Sequence, residues 1–407
     1  MTASTTRTLI KNVRPWGAET TDVVVADGVV EKVGAERDGE QVSTHVIDGD
    51  GRIVLPSFTD AHVHLDSTRV GLPFRPHTGR PGVWGMMMND RENWRNTETP
   101  HRDIVAGTME RMIAAGTTRI RTYAEVDADC KLERLESVLF AKEKFAHHAH
   151  TQNIAFPQAG LLRAEGSVEV LEEALKNGAD VVGGIDPCQL DRDPARHLDI
   201  VFGLAQKYQV GVDVHLHEPG ELGVFSAELI FERTRALGMQ GNVNLSHSYD
   251  LGSVSPAVSA RLTDEMAELD IPWISIAPAV NAPQFNLMQL TEAGIRIGLG
   301  EDGQRDYWSP YGDCDMLSRT WQLAFTHHLR HDSHIELAAA IATWGGATII
   351  DPSLARLASA TDRPGFNAGD PGDFVLLEGE TVTSAGPLGE RSFIEARSWP
   401  PPEKWWL

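Results

Sequence analysis

The chain has 407 residues, 41% of them hydrophobic, and carries 36 Lys and Arg against 58 Asp and Glu, a formal net charge of −22. This excess of acid excludes an electrostatic nucleic-acid footprint and attraction to an anionic membrane surface, so neither nucleic acid nor membrane is expected as a partner. Cys130, Cys188 and Cys314 are far apart and form no Cys-x-x-Cys pattern, residues 1–7 hold no apolar leader core, and no apolar run is long enough to span a bilayer; a cytoplasmic protein in a reducing setting is expected.

Residues 8–57 are rich in short strands and turns. Thr8-Leu9-Ile10, Asp22-Val23-Val24-Val25 and Val29-Val30-Glu31-Lys32-Val33 are apolar or alternating runs, with Asp27-Gly28 as a tight hairpin turn between the last two. From residue 58 to 350 short apolar strands alternate with amphipathic segments. The expected strands are 58–65, 117–123, 154–159, 181–185, 210–215, 243–247, 273–277 and 296–300. Helical patterns fall at 103–115, 131–144, 168–176, 198–208 and 226–237, with Gly116, Gly178 and Gly294 placed as helix-ending glycines. Eight such units suggest a (β/α)8 TIM barrel in the α/β class.

Residues 67–100 read as a long polar and aromatic loop, a wall or lid for a substrate, in which Met86-Met87-Met88 is packing. After residue 350 the texture returns to sheet: Gly369-Asp370-Pro371-Gly372-Asp373 is a turn and Phe374-Val375-Leu376-Leu377 a strand that completes the N-terminal module. The expected division is 1–57 and 351–407 as two parts of a small β-sandwich around a barrel of 58–350. The Pro- and Trp-rich end from Trp399 to Leu407 is expected to pack on the body or on a neighbouring subunit of a homo-oligomer.

The chemistry centres on Asp60-Ala61-His62-Val63-His64-Leu65-Asp66. Side chains alternate faces along a strand, so His62 and His64 point the same way and can share one transition-metal ion. Other polar groups fall at strand ends, which converge in a barrel: His215, His217 and Glu218 after one strand, His247 after the next, Asp302 after the last, and Phe156-Pro157-Gln158-Ala159 at the end of the fourth. Three histidines and an aspartate, His62, His64, His215 and Asp302, fit one catalytic metal with an open position for water, and Glu218 provides a second acid.

Together with Phe156-Pro157-Gln158, Val212-Asp213-Val214-His215, Ser246-His247-Ser248 and Trp308-Ser309-Pro310-Tyr311-Gly312, these motifs resemble the amidohydrolase superfamily, in its cytosine deaminase branch, over nearly the whole chain. The resemblance implies a barrel with a split β-sandwich and one divalent metal ion, zinc or iron, held by His62, His64, His215 and Asp302. It also implies Glu218 as proton shuttle, His247 polarising the attacking water, Asp302 as base and Gln158 bonded to a substrate ring. Binuclear relatives use a lysine at the fourth strand end; residues 154–162 contain none, which favours one metal.

Two departures bear on the substrate. Bacterial cytosine deaminases read His-Asp-Asp where this chain reads Glu301-Asp302-Gly303, so the second Asp, which helps hold the amine there, is missing. Residues 179–187 and His215-Leu216-His217 resemble N-alkylammelide amidohydrolases, which carry Asp where this chain has Glu218. His217, Asp306 and Trp308 join Gln158 as expected substrate contacts. His147, His148 and His150, and likewise His327, His328, His331 and His334, read as solvated faces, and Asp313 and Asp315 as caps of the following helix.

The expected activity is hydrolytic removal of an exocyclic amine from a pyrimidine-like or triazine-like heterocycle, releasing ammonia, because the longer carboxylate of Glu218 leaves less room for an alkyl group. The alternatives are release of an N-alkylamine by the same machinery and, from another class, a non-catalytic binding or scaffold barrel.

Overall fold

The computed structural model describes residues 7–35, 45–73, 75, 82–248, 252–278 and 284–385, and the backbone of 391–395. The segment from Trp399 to Leu407 lies outside the described residues. The strands in chain order are Arg7–Pro15 (β1), Thr21–Ala26 (β2), Val29–Val33 (β3), His45–Asp48 (β4), Ile53–Pro56 (β5), Phe58–His64 (β6), Thr117–Glu125 (β7), His150–Phe156 (β8), Val181–Ile185 (β9), Gly211–Leu216 (β10), Val243–His247 (β11), Trp273–Ser275 (β12), Ile297–Leu299 (β13), Asp302–Gly303 (β14), Asp373–Leu377 (β15) and Arg391–Glu395 (β16).

One sheet joins strands from both chain ends, in the order β16-β15-β5-β1-β2-β3, with β4 also on β1. The β2–β3 hairpin turns at Asp27 and Gly28, with φ of 51° and 82°. Two left-handed residues in a row match the right-handed twist of the flanking strands. Ile10, Val13, Val23, Val25, Val54, Phe374 and Leu376 from these strands are buried together in one apolar cluster.

The second sheet has nine strands in the order β13-β12-β11-β10-β9-β8-β7-β6-β14. Neighbours pair in parallel throughout. Only Gly300 and Glu301 separate β13, at one end, from β14, which pairs with β6 near the other. The sheet therefore curls round on itself into a TIM-like barrel. Its helices pack outside, and the main core fills the space between them and the strands. Closure needs a glycine: a Cβ on Gly300 would lie 2.4 Å from the His62 carbonyl oxygen. No helix among the described residues is long and apolar enough to cross a membrane.

Two expectations are corrected. Gln158 follows β8, the third barrel strand rather than the fourth; the fourth is β9, followed by Asp186, and it too contains no lysine. The stretch 67–100 is not a plain loop, since Gly82–Asn93 is a helix. Two glycines and weak amphipathicity hid it. Tertiary contacts hold it: Asp90 pairs with Arg134, Arg91 with Asp127, and Asn89 Nδ2 donates to the Tyr307 carbonyl at 3.2 Å. Met87 in this helix is buried, as packing requires.

Candidate metal centre and active site

Parallel strands bring their C-terminal ends to one mouth. His62 and His64 end β6, His215 lies near the end of β10, His247 ends β11 and Asp302 opens β14. Asp302 Oδ1 lies 3.5 Å from His62 Nε2 and 3.5 Å from His64 Nε2. His215 Nε2 is 3.4 Å from His64 Nε2. The His247 ring centre is 4.6 Å from that of His62 and 4.9 Å from that of His215. Donor atoms of His62, His64 and Asp302 lie within 4.8 Å of one another, and so do those of His62, His215 and His247. His62 is common to both groups. The histidine expected only to orient water thus stands as close to the centre as the expected ligands.

The donor set fits a divalent transition metal. His62 Nε2 is fully buried and has no hydrogen-bond partner among the described residues, a costly state for an imidazole nitrogen that an ion would relieve. Burial lowers the pKa of His62 and pushes those of His215 and His247 well down, helped at the latter two by neighbouring imidazoles. These rings are therefore neutral, the form that ligates. Burial alone would raise Asp302, but its contact with His62 and the surrounding His247 and His64 rings hold it far below the usual carboxylate range. His247 and Asp302 both have left-handed backbone, φ 68° and 63°, strain of about 1–3 kcal/mol per residue that the surrounding barrel must hold.

Behind the rings sits a second layer that sequence reasoning left without a role. Ser246 Oγ lies 3.3 Å from His62 Nδ1 and donates to Asp213 Oδ1 at 2.9 Å. Tyr123 also donates to Asp213 Oδ1, at 3.0 Å, and Arg121 pairs with its other oxygen. Such contacts fix ring orientation and tautomer. Period-two reading could have found them: Arg121 and Tyr123 share one face of β7, and Asp213 and His215 one face of β10. Asp186, just after β9, was also without a role. Its Oδ2 lies 2.8 Å from His217 Nδ1 and its Oδ1 accepts the His217 amide at 2.6 Å.

The expected substrate residues divide. His217 stands at the mouth, its ring 4.4 Å from that of His247. Gln158 is buried and its Nε2 has no partner among the described residues. It follows Phe156, whose ring stacks on His215 at 4.1 Å. Asp306 Oδ1 accepts the amides of Trp308 and Ser309 at 2.7 and 2.8 Å. Burial, with the carboxylates of Asp90 and Asp302, pushes the Asp306 pKa up to about 7 against those two bonds. Trp308 is half-buried and contributes that amide. Glu218 is set apart. Its Oε1 accepts from the amides of Cys188 and Gln189, both at 2.7 Å, and its Oε2 from Ser226 Oγ. Burial raises its pKa although these donors oppose the shift. Asp315 does cap its helix, accepting the Leu317 amide at 3.0 Å.

The amidohydrolase family model matches residues 84–387. N-isopropylammelide isopropyl amidohydrolase of Pseudomonas sp. (strain ADP) is 30% identical over 339 residues, 81% of either chain. This chain belongs to the amidohydrolase family. As an amidohydrolase it is a hydrolase acting on carbon–nitrogen bonds, in a family that is metal-dependent. The structure of N-isopropylammelide isopropylaminohydrolase from Burkholderia multivorans ATCC 17616 superposes with a TM-score of 0.86 at 33% identity, covering 96% of this chain and 97% of that one. The 5-methylcytosine deaminase of Klebsiella pneumoniae, bound to 5-fluorocytosine, shares the fold with a TM-score of 0.78 at 24% identity, covering 95% and 96%.

Proposed function

We propose that this amidohydrolase uses one divalent metal ion to remove an exocyclic amine from a carbon of a triazine-like or pyrimidine-like ring, with an N-alkylamine as leaving group. The observation that carries the reading is the convergence of His62, His64, His215, His247 and Asp302 at the barrel mouth, in two donor groups that share His62. His62, His64, His215 and Asp302 would hold the ion, which when bound supplies a water acidic enough to attack at neutral pH.

The chain's own residues do the rest. Gln158 offers an unpaired amide to the heterocycle. His247 orients the attacking water, and Asp302 takes its proton and returns it to the departing nitrogen. Asp186 fixes the orientation of His217 at the edge of the site through its Nδ1 and its amide. With this reading goes a division into a β-sandwich of 1–57 and 351–407 and a barrel of 58–350.

The leaving group differs from the sequence expectation. The preference for ammonia rested on Glu218 reaching towards the ring, yet both its oxygens are engaged by three protein donors. Two relatives at 30% and 33% identity act, by name, on N-isopropylammelide. Ammonia release is the second reading, favoured by the 24% identity over 377 residues to the pterin deaminase of Rhizobium rhizogenes (strain K84 / ATCC BAA-868). The test is kcat/KM for an N-isopropylaminotriazine against the same ring bearing a free amine. Preference for the alkylated compound supports the first reading; preference for the free amine moves the assignment to the second.

A further inference from the structure

We propose that Asp306 reads the N–H of the substrate's departing amine, supplying from a loop the carboxylate that residue 303 lacks on the strand. This rests on the amine-releasing reading above and assigns one of its specificity contacts.

Gly303 sets the geometry on this side of the metal centre. It lies next to Asp302 and pairs in register with His64, so a side chain there would sit at the edge of the metal centre. A Cβ built on Gly303 would meet Asp306 Oδ2 at 2.1 Å and its Oδ1 at 3.2 Å. The Asp306 carboxylate therefore fills the space that a side chain at residue 303 would take. Glycine is required there because any Cβ would expel that carboxylate.

The two oxygens of Asp306 have different tasks. Oδ1 is held by the Trp308 and Ser309 amides, which fixes the group in place. Among the described residues Oδ2 has one donor, Ser67 Oγ at 3.2 Å, and the same hydroxyl also lies 3.4 Å from the His64 carbonyl. One hydroxyl proton cannot serve both acceptors at once. Oδ2 thus retains acceptor capacity beside His64 and Asp302, where an amine on the reacting carbon would stand. A fixed carboxylate oxygen short of donors selects a group that brings an N–H. A primary or mono-alkyl amine brings one, and a dialkyl amine does not.

The experiment compares three aminotriazines, with a free, an N-isopropyl and an N,N-dialkyl amine, on the wild-type enzyme, Asp306→Asn and Gly303→Ala. Asn keeps the acceptor for the two loop amides but turns the second oxygen into a donor. Ala at 303 displaces the carboxylate without changing it. Each variant should lose about 10- to 100-fold in kcat/KM on the substrates with an N–H. The loss on the dialkyl substrate should be at least about 10-fold smaller than on the other two, the metal content should stay at the wild-type level, and the double variant should lose no more than either single one. Equal losses on all three substrates, or additive losses in the double variant, would assign Asp306 to holding the loop and overturn the proposal. Wild-type enzyme inactive on every aminotriazine and aminopyrimidine would instead overturn the reading on which it rests. A variant that fails to fold would show as lost metal and lost secondary structure, and the other variant then decides.

Discussion

Two buried polar clusters adjoin in this barrel, and they are built to opposite rules. At the mouth, imidazoles and Asp302 face one another, and among the described residues no Lys or Arg pairs with them and His62 Nε2 lacks a partner. Two residues beyond His64, Asp66 belongs to the other cluster. There Arg134 pairs with Asp90, with Glu125 at 3.2 Å and with Asp66 at 3.6 Å, while Arg91 pairs with Asp127. Glu125, Asp127 and Cys130 also lie close enough to hold an ion. However, burial pushes the Cys130 thiol far up, so it stays protonated, and the arginines already supply positive charge. One cluster has donors suited to a cation from outside; the other carries its own. Proximity of candidate ligands is therefore a weaker signal than the absence of an internal counter-charge.

The strongest test of that contrast acts on the mouth. Chelation or His62→Ala should remove the metal and lower turnover by several orders of magnitude, with little loss of secondary structure. His247→Asn should lower turnover by about 10²-fold or more while metal stays bound, since its assigned task is the water. Elemental analysis beside kinetics checks both, and metal lost in step with activity in the His247 variant would make it a ligand.

Arg134→Met probes the other cluster. It leaves buried carboxylates without their cation and should cost about 3–5 kcal/mol of stability, read by denaturant unfolding. Metal bound per folded chain should be unchanged. Loss of metal without loss of stability would erase the distinction between the clusters.

Asp213→Asn touches the layer behind the mouth. Its Ser246, Tyr123 and Arg121 contacts orient His62 at second hand, so metal affinity or activity should fall by about 10- to 100-fold, measured by competition with a chelator.

The smallest effect belongs to His327, whose Nε2 is also buried and without a partner among the described residues. No ligand cluster surrounds it among the described residues, so His327→Gln should leave metal content alone. Burial lowers its pKa from 6.5 to about 4. Between those values the unfolded chain takes up a proton that the folded chain does not, so stability falls as pH drops through this window. The Gln variant should lose less stability than the wild type between pH 6.5 and pH 4, as urea midpoints would show.

Much of the architecture was legible because short apolar runs with helix-ending glycines report local structure directly. All eight barrel strands overlap their expected positions, though the third, His150–Phe156, begins four residues before the expected 154–159 and the last two are shorter, and the hairpin at Asp27-Gly28 is where turn chemistry requires it. The helix Gly82–Asn93 was not legible, since its stability comes from Asp90, Arg91 and Asn89 reaching other elements rather than from its own pattern.

For the site, the sequence by itself determined which residues share the mouth. Strand alternation puts His62 and His64 on one face, and parallel strands carry His215, His247 and Asp302 to the same end. Only the tertiary structure decided what each of them touches. It tied Glu218 to the Cys188 and Gln189 amides, set Ser246 against His62 and laid the Asp306 carboxylate over Gly303. The physical reason is that periodicity encodes the direction a side chain takes from its own backbone. Its partner comes from another strand or loop, and which atom meets it depends on register, closure and loop path, quantities that no local pattern contains.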